Sequence, residues 1–484
     1  MRSLIELYAK VALKNVFFIV ALTTVTILSI RMTSVLDVSL LSYIKYLYFS
    51  FLSFHLFLIV HTTYLLTKSY TIFLFLEKNE VKQRVALTIT NLGLAIITII
   101  PIGIILLCNI GTIFTATQIS LHMIHLVALW VSSALFVTAI AIVCATFIKN
   151  NIAYIISLGV YGCFLYLSIN FAPNTTWVRY FSILDDYTFI PSNEIAGVML
   201  TKDYILDKVF VFSLALILLC SSFIYISKTH RTRYILGTIS SIILAVAIIS
   251  QGQTKQYEPT TTIAMETKYQ ITAYKMAVQL NHTLNNRVEL TIMPTENIDD
   301  IRLTLDDIFQ ITTLELEDKK VNYTFNNDTI HIMQSLNKGE EYTLMITYNG
   351  DVNLIDHLGT SVMYVSPYAS NLHGAEFYWY PSIVQHEEIP FTVNVTSKVP
   401  VYTTLQGEGH QFTGKDKYVS LFSGVYQQEV VDGITYLYPP KYTLAMIQSE
   451  LPEEITYNKV IVGVMAMDSE LTANGVFVMR YIDR

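Results

Sequence analysis

Two short strings in the second half of the chain contain residue types that hydrolyse peptides or bind ATP in other proteins. The first, QHEEIP at 385–390, begins like the zinc-binding motif HExxH with His386 and Glu387, but Pro390 stands where the second His belongs. No HExxH occurs anywhere in the chain. The sequence therefore predicts neither a bound metal nor zinc-peptidase activity.

The second string, GHQFTGKD from Gly409 to Asp416, has the glycine and lysine spacing of a phosphate-binding loop. Asp416 occupies the position where Ser or Thr binds magnesium, and no apolar strand precedes the string with a helix after it. These features predict a β-hairpin loop rather than an ATP site. We expect no cofactor in this chain, and we expect ATP and magnesium in a partner ATPase.

Polar side chains inside apolar segments are further candidates, because such residues usually face a cavity or another helix. His122 and His125, three residues apart, share one helix face near the expected outer end of their segment and would suit a metal or a polar substrate group. Contacts with neighbouring helices are the commoner explanation, since no third metal ligand is evident. Together with His55 and Trp130, these residues form the candidate substrate pathway.

These candidates lie in a series of long apolar segments. Because about 20 apolar residues cross a bilayer core of about 30 Å, the segments predict seven transmembrane helices. An amphipathic start, MRSLIELYAK, is expected to lie at the membrane interface. The apolar segments lie near residues 12–30, 46–67, 85–108, 119–148, 152–172, 206–227 and 234–250.

Charge divides the chain at about Gly252. Residues 1–251 carry 16 Lys and Arg against 9 Asp and Glu, a net of +7, and the remainder carries 15 against 29, a net of −14. With a cytoplasmic N-terminus, eleven basic residues of the connections fall inside and five outside, as the positive-inside rule favours. We therefore expect a multi-pass protein of the cytoplasmic membrane whose C-terminal domain is extracytoplasmic. The composition of the whole chain favours a Gram-positive bacterium. All four cysteines lie in the apolar segments, so the C-terminal domain is expected to fold without disulfides.

The acidic part of the chain alternates apolar and polar residues in strand-like segments. Six such segments between residues 266 and 350, separated by Asn, Asp, Gly or Lys turns, predict an all-β sandwich. A helix is predicted near 441–450, and two further strands near 458–466 and 475–482. The predicted domains are a six-helix membrane domain at 1–230, a seventh helix with a linker at 231–255, and a β-domain at 256–484.

The order of the first six helices resembles the permease of a type-2 ATP-binding-cassette (ABC) exporter. The interfacial start, the charged connection KSYTIFLFLEKNEVKQR and the long outer connection at 173–205 carry this resemblance, which covers residues 1–228. It implies a coupling helix between helices two and three that docks on a cytoplasmic ATPase, and a pair of short outer helices before helix six. A solvated loop whose basic residues only set the topology is the alternative. The residues expected to contact the ATPase are Glu77, Lys78, Glu80, Lys82 and Arg84.

The β-domain resembles the N-terminal β-domain of the aminopeptidase N family of zinc peptidases. The segments YQITAYKMAVQL, ITYNG at 346–350, FYWYPSI at 377–383 and FTVNVTSKVPVYTTLQGEG occur in the order of that family's corresponding segments. The resemblance implies the fold of that domain, with the family's catalytic domain absent. Tyr378, Trp379 and Tyr380 would suit stacking on a peptide or a sugar, although alternating aromatic residues of a sandwich are more often core.

Two functions remain. The first is a membrane-spanning permease subunit of an ABC transporter that pairs with an identical or related permease and with ATPase subunits, and exports an amphipathic compound such as a peptide, an antimicrobial or a lipid-like molecule. The alternative is a non-transporting membrane anchor or sensor that displays a peptidase-like β-domain for binding. The acidic extramembrane region has no basic aromatic patch, which argues against nucleic-acid binding. The sequence has no filter-like loop between the apolar segments, which argues against an ion channel.

Overall fold

A computed structural model of the chain shows two compact units. We call them the helical unit, which holds the helices up to residue 251, and the β unit, which holds the strands from residue 269 onward. The described residues are 1–33, 43, 47–68, 79–108, 116–148, 150–171, 192–193, 197–198, 202–227, 229–251, 268–355, 361–384, 387–439, 442–452, 457–463, 470–471 and 475–480.

The helical unit follows the apolar segments of the sequence. Asn15 separates its first two helices and caps the second, since its side chain accepts a hydrogen bond from the Phe17 backbone N–H at 2.9 Å. The helices within the described residues are α1 (Arg2–Leu13), α2 (Val16–Arg31), α3 (Tyr48–Thr67), α4 (Glu80–Cys108), α5 (Ala116–Phe147), α6 (Ile152–Phe171), α7 (Lys202–Ile226) and α8 (Arg231–Gln251).

Five of these helices, α3, α4, α5, α7 and α8, are long and apolar enough to cross a bilayer. Helices α1 and α2 meet at a bend of 70° and would make a sixth span if they are counted as one. Helix α6 is apolar over the shorter stretch Ile152–Leu167. By length and composition, the described residues thus contain five membrane-length helices, or six spans if the bent pair is counted as one. The seven predicted crossings are these together with α6.

Helix α1 is amphipathic, as the sequence predicts. Leu4, Tyr8 and Ala12 are buried on one face at a spacing of four residues, and the other positions are partly or fully exposed. Leu4 and Tyr8 belong to the same apolar cluster as Ala86 and Leu87 of α4. The apolar face of α1 thus packs on the helical unit itself.

Helix α5 is the centre of the helical unit. Of its membrane-length stretch, 72% is buried, against 17% for α8, and it packs against α3, α4, α6 and α7. A helix that is apolar all round suits such a central position. The buried polar side chains of α5 are therefore placed among other helices.

The described residues of the outer connection differ from the pair of short helices that the permease resemblance implies. Ser192–Asn193 and Gly197–Val198 pair as two short antiparallel strands. Two backbone segments in register exchange ladder hydrogen bonds, which helices at these positions would not do. The remainder of 172–201 lies outside the described residues.

The described residues contain the following strands: β1 (Ser192–Asn193), β2 (Gly197–Val198), β3 (Tyr269–Leu280), β4 (Leu284–Pro294), β5 (Ile301–Thr304), β6 (Phe309–Leu316), β7 (Lys319–Lys320), β8 (Tyr323–Asn326), β9 (Thr329–Ile332), β10 (Tyr342–Gly350), β11 (Asn353–Ile355), β12 (Ser361–Val365), β13 (Ser370–Leu372), β14 (Ile389–Thr396), β15 (Val401–Thr403), β16 (Gln406–Glu408), β17 (Gln411–Asp416), β18 (Leu421–Ser423), β19 (Gln427–Val431), β20 (Ile434–Tyr438), β21 (Lys459–Gly463), β22 (Glu470–Leu471) and β23 (Val476–Arg480).

The β unit is a β-rich region of several sheets. An eight-stranded sheet has the order β16-β17-β14-β3-β4-β10-β6-β7, and a three-stranded sheet the order β5-β9-β8. Two five-stranded sheets have the orders β11-β12-β13-β18-β15 and β19-β20-β21-β23-β22. Most pairs are antiparallel, but β3 pairs in parallel with β14, and β21 pairs in parallel with both β20 and β23.

The six predicted strand segments are all strands, because alternation of apolar and polar residues buries one face of each. In β3, Met276, Val278 and Leu280 are buried and the residues between them are exposed. The predicted helix near 441–450 is α9 (Leu444–Ser449), which Thr443 caps. It connects the parallel strands β20 and β21, an arrangement that a purely antiparallel sandwich does not have.

Candidate functional site

Helix α5 places a series of polar side chains inside the helical unit. His125, Ser133, Thr138 and Thr146 are all buried. At 1.5 Å per residue, the distance along the helix from His125 to Thr146 is about 32 Å, close to the thickness of a bilayer core. Polar groups are thus distributed along the full length that a membrane crossing requires.

The predicted pathway residues near the start of α5 are buried among helices. His122 and His125 are 2% and 1% exposed, and His125 Nδ1 lies 3.1 Å from the Tyr204 hydroxyl of α7. Trp130 donates from Nε1 to the Thr98 hydroxyl of α4 at 2.9 Å. These polar groups therefore join α5 to two of its neighbours.

His55 joins three helices at the centre of the unit. Its Nδ1 lies 2.8 Å from the Tyr161 hydroxyl of α6, and its Nε2 lies 3.1 Å from the Ser133 hydroxyl of α5. A neutral imidazole donates through one nitrogen and accepts through the other, so both of its nitrogens are used here. His55 itself, on α3, is fully buried.

Asn91 makes the corresponding connection one layer further along. From α4, its Nδ2 donates to the Thr62 hydroxyl of α3 at 2.8 Å and to the Thr138 hydroxyl of α5 at 3.2 Å. Asn91 is fully buried. A buried amide that uses both of its N–H groups fixes the relative positions of three helices.

Arg84, which the sequence analysis expects to contact an ATPase, lies inside the helical unit. Its side chain is 3% exposed, its Nε donates to the Thr146 hydroxyl of α5 at 3.3 Å, and it forms an ion pair with Glu80 at 3.2 Å. Arg84 and Asn91 are seven residues apart on α4 and therefore share its inward face. Lys82, on another face, is exposed, while Glu77 and Lys78 lie outside the described residues.

We call this set of hydrogen-bonded side chains, all buried except the partly exposed Glu80, the polar line. Sequence reasoning assigned its histidines and Trp130 to a substrate pathway and Arg84 and Glu80 to an ATPase contact. It missed the other members, although Asn91 is visible as a polar residue in an apolar segment. Tyr161 and the hydroxyl residues carry no sequence signal, because such residues are common in apolar helices. The polar line consists of His125, Tyr204, Trp130, Thr98, His55, Tyr161, Ser133, Asn91, Thr62, Thr138, Thr146, Arg84 and Glu80.

In the β unit, two of the three aromatic residues proposed for ligand stacking are core residues. Trp379 and Tyr380 are 0% and 2% exposed. Trp379 donates from Nε1 to the Val419 carbonyl at 3.1 Å, and the Tyr380 hydroxyl accepts from the Val419 N–H at 3.1 Å. Burial raises the pKa of Tyr380 well above its usual range. Only Tyr378 is partly exposed, so the three rings do not form one surface.

The two motif-like strings form parts of the eight-stranded sheet. The string from Gly409 to Asp416 is predicted as a hairpin loop, but only Gly409 and His410 lie in the turn. Gln411–Asp416 is strand β17, which pairs with β16 as the second strand of the hairpin. Asp416 is buried, and this burial raises the pKa of its carboxyl to about 6. Glu387 is exposed just before β14, and His386 lies outside the described residues.

Three carboxylates of the β unit also lie close together. Oxygens of Asp306, Asp307 and Asp328 are within 4.8 Å of one another. The Asp306 carboxylate accepts from the Ile308 N–H at 3.1 Å, and that of Asp328 accepts from the Asp307 N–H at 2.7 Å. These bonds give the cluster a structural role in the turns around it.

The two units together define a class of protein. Several apolar helices are suited to a bilayer and enclose buried polar groups, and a β-rich region of several sheets follows them. Several of these helices could span a membrane, so the architecture is consistent with a membrane protein that carries a β-rich region. No protein-family model matches the chain, and no curated protein matches it.

Solved structures show a weak, partial likeness to zinc aminopeptidases. The M1 zinc metallopeptidase from Deinococcus radiodurans is 16% identical over 45% of this chain and 61% of its own, with a TM-score of 0.34. Yeast LTA4 hydrolase in complex with Bestatin is 10% identical over 48% of this chain and 42% of its own, with a TM-score of 0.33. The chain thus spans about 61% of the first of these proteins. The comparisons give no support to the resemblance between residues 1–228 and an ABC permease.

Proposed function

We propose that this chain is the membrane-embedded permease subunit of an ATP-driven transporter that exports an amphipathic compound such as a peptide, an antimicrobial or a lipid-like molecule. The observation that carries the proposal is the polar line, a set of hydrogen-bonded side chains buried along α5. A membrane anchor is the alternative function, and it requires only apolar helices of sufficient length.

Polar side chains at membrane depth are costly unless they are paired, and they commonly mark pathways for substrates or ions. His55 and Asn91 each contact two other helices through hydrogen bonds. Apolar residues at these positions would pack the same helices without that cost. Buried amide and imidazole groups are therefore better explained by a role in substrate passage or in switching between helix arrangements than by anchoring.

Energy for transport would come from a partner. The string from Gly409 to Asp416 forms the turn and the second strand of a β-hairpin, so we propose cytoplasmic ATPase subunits that bind ATP and magnesium, together with a second permease subunit. Their docking region would lie around residues 69–82, where Lys82 is an exposed charge. In this arrangement the N-terminus is cytoplasmic, and the β unit is an extracytoplasmic, sandwich-like domain of a Gram-positive cell that handles the substrate or a partner.

Affinity purification of the tagged protein in lipid nanodiscs, with mass spectrometry of co-purifying proteins, tests the proposal. The informative variant is Lys82→Glu, because Lys82 is exposed. Glu80 is a poorer choice, since its reversal would place a positive charge beside the buried Arg84. Lys14→Glu is the matched control, since it reverses another exposed lysine on the side of the membrane where Lys82 is expected.

We expect an ATPase subunit in near-equal amount with the unaltered protein and with Lys14→Glu, and a several-fold smaller amount with Lys82→Glu. An ATPase that is retained equally by both variants would contradict the docking region. Purification of the chain without an ATPase would favour the anchor or sensor.

A further inference from the structure

The β unit contains a cavity of about 740 Å³ where three of its sheets end. Among the described strands, β15, β16 and β19 are each the terminal strand of a sheet, and each contributes to the cavity wall. A terminal strand has a pairing partner on one side only, so its other edge is able to pair with a further extended chain. The cavity is within the size range of ligand sites in proteins.

Lys459 is the least exposed charged residue of this cavity. It begins β21, its side chain is half-buried, and its Nζ donates to the Thr403 carbonyl oxygen at 3.1 Å. Among the residues that the structure describes, no carboxylate lies within ion-pair distance of Lys459. Burial lowers the pKa of this ammonium group, as expected for a desolvated cation without a counter-ion.

The other charged and titratable groups of the cavity lie at its exposed rim. Lys398 and His410 are basic and Glu408 is acidic, and all three side chains are exposed. Tyr402 and Leu437 supply apolar surface beside Lys459. An ammonium group with unused donors, next to apolar walls, is suited to the carboxylate of a partly apolar ligand.

We propose that this cavity binds an extended peptide segment through its carboxylate, with Lys459 as the counter-charge. A carboxylate supplies the charge that Lys459 lacks, and an extended backbone is the chain conformation that adds to a sheet edge. The site lies entirely within the β unit, so this proposal does not depend on whether the protein is a transporter.

The test is equilibrium dialysis of the full-length protein in lipid nanodiscs against pools of short random-sequence peptides, with mass spectrometry of the retained fraction. One pool lacks Asp and Glu and has free C-terminal carboxylates. A second is the same pool with C-terminal amides, and a third is amidated but includes Asp and Glu. The first identifies recognition of a C-terminus, and the third identifies recognition of an acidic side chain.

The variants separate the charge of Lys459 from its packing. Lys459→Met removes the charge and keeps the length of the side chain, whereas Lys459→Arg retains the charge. Gln428→Trp fills the cavity from the exposed strand β19 without altering Lys459. Lys415→Met removes an exposed lysine that does not line the cavity and serves as the control.

We expect one carboxylate-bearing pool to be retained by the unaltered protein, by Lys459→Arg and by Lys415→Met. Lys459→Met should retain at least about tenfold less peptide than the unaltered protein, as expected for the loss of a charge-assisted hydrogen bond. Gln428→Trp should also reduce retention, which covers the case in which Lys459→Met fails to fold. Three results would overturn the proposal. The first is retention of the amidated pool without acidic residues, the second is retention by both Lys459→Met and Gln428→Trp at the level of the unaltered protein, and the third is no retention of any pool.

Discussion

Replacing the buried Asp416 with Asn should make the β unit more stable than the unaltered protein at neutral pH. In acid, where the carboxyl is protonated in both states, this gain in stability should disappear. Asp416 is 4% exposed at the end of β17, and burial raises the pKa of its carboxyl from 3.8 to about 6. At about 1.4 kcal/mol per pKa unit, this difference corresponds to ~3 kcal/mol.

The sign follows from which state holds the proton. Below pH 3.8 the carboxyl is protonated in the folded and in the unfolded chain, and it contributes no pH-dependent cost. Between pH 3.8 and about 6 the unfolded chain has lost its proton while the folded one keeps it, so stability falls as the pH rises. Above about pH 6 the folded protein holds a buried carboxylate, and the full cost is present.

Asn cannot ionise, so the Asp416→Asn variant should lack this pH dependence. Its side-chain oxygen is able to accept the hydrogen bond from the Lys417 N–H, which is 2.8 Å long in the unaltered protein. The variant should gain about 2.4 kcal/mol relative to the unaltered protein between pH 4 and pH 8, because about 0.6 kcal/mol of the cost is already present at pH 4. Asp432→Asn, at the exposed turn between β19 and β20, is the control and should show no such gain.

Guanidinium unfolding at the two pH values, followed by tryptophan fluorescence, measures the difference. Replacing Trp130 and Trp177 with Phe in every protein compared leaves Trp379 as the reporter, which is buried beside Val419 in the β unit. A stability difference between Asp416→Asn and the unaltered protein that is equal at pH 4 and pH 8 would refute the reasoning.

Two further predictions concern the packing of each unit. Tyr161→Phe removes the hydroxyl beside His55 Nδ1 and should lower the stability of the helical unit by about 1–3 kcal/mol. Tyr154→Phe, a partly exposed control on the same helix, should lower it little. Thermal unfolding in detergent measures both variants, and equal effects would argue against the His55 contact. Gly407→Ala should destabilise the β unit more than Gly409→Ala. Gly407 has φ +124°, and a Cβ there would lie 2.4 Å from the backbone of β17. Gly409 has φ +70° and open space around the position of a Cβ. The same Trp379 fluorescence assay ranks these two variants, and the reverse order would contradict the described hairpin.

Local patterns of the sequence determined the kinds of elements and their places. Apolar segments of membrane length became helices, and the alternation in segments such as Tyr269–Leu280 became strands, since both periods depend on neighbouring residues alone. The hairpin at Gly409 and the helix at Leu444–Ser449 were also predictable, because glycine and a Thr cap act over a few residues.

The tertiary structure decided which side chains meet and which are buried. Arg84 belongs to a charged segment in the sequence, yet the rotation of α4 turns it toward α5. His55 meets Tyr161, which is 106 residues away, and Lys459 meets the Thr403 carbonyl, which is 56 residues away. No local period carries such pairings, because they depend on how whole helices pack and on where separate sheets end. For this reason the candidate residues were partly visible in the sequence, whereas the polar line and the cavity around Lys459 exist only in the folded chain.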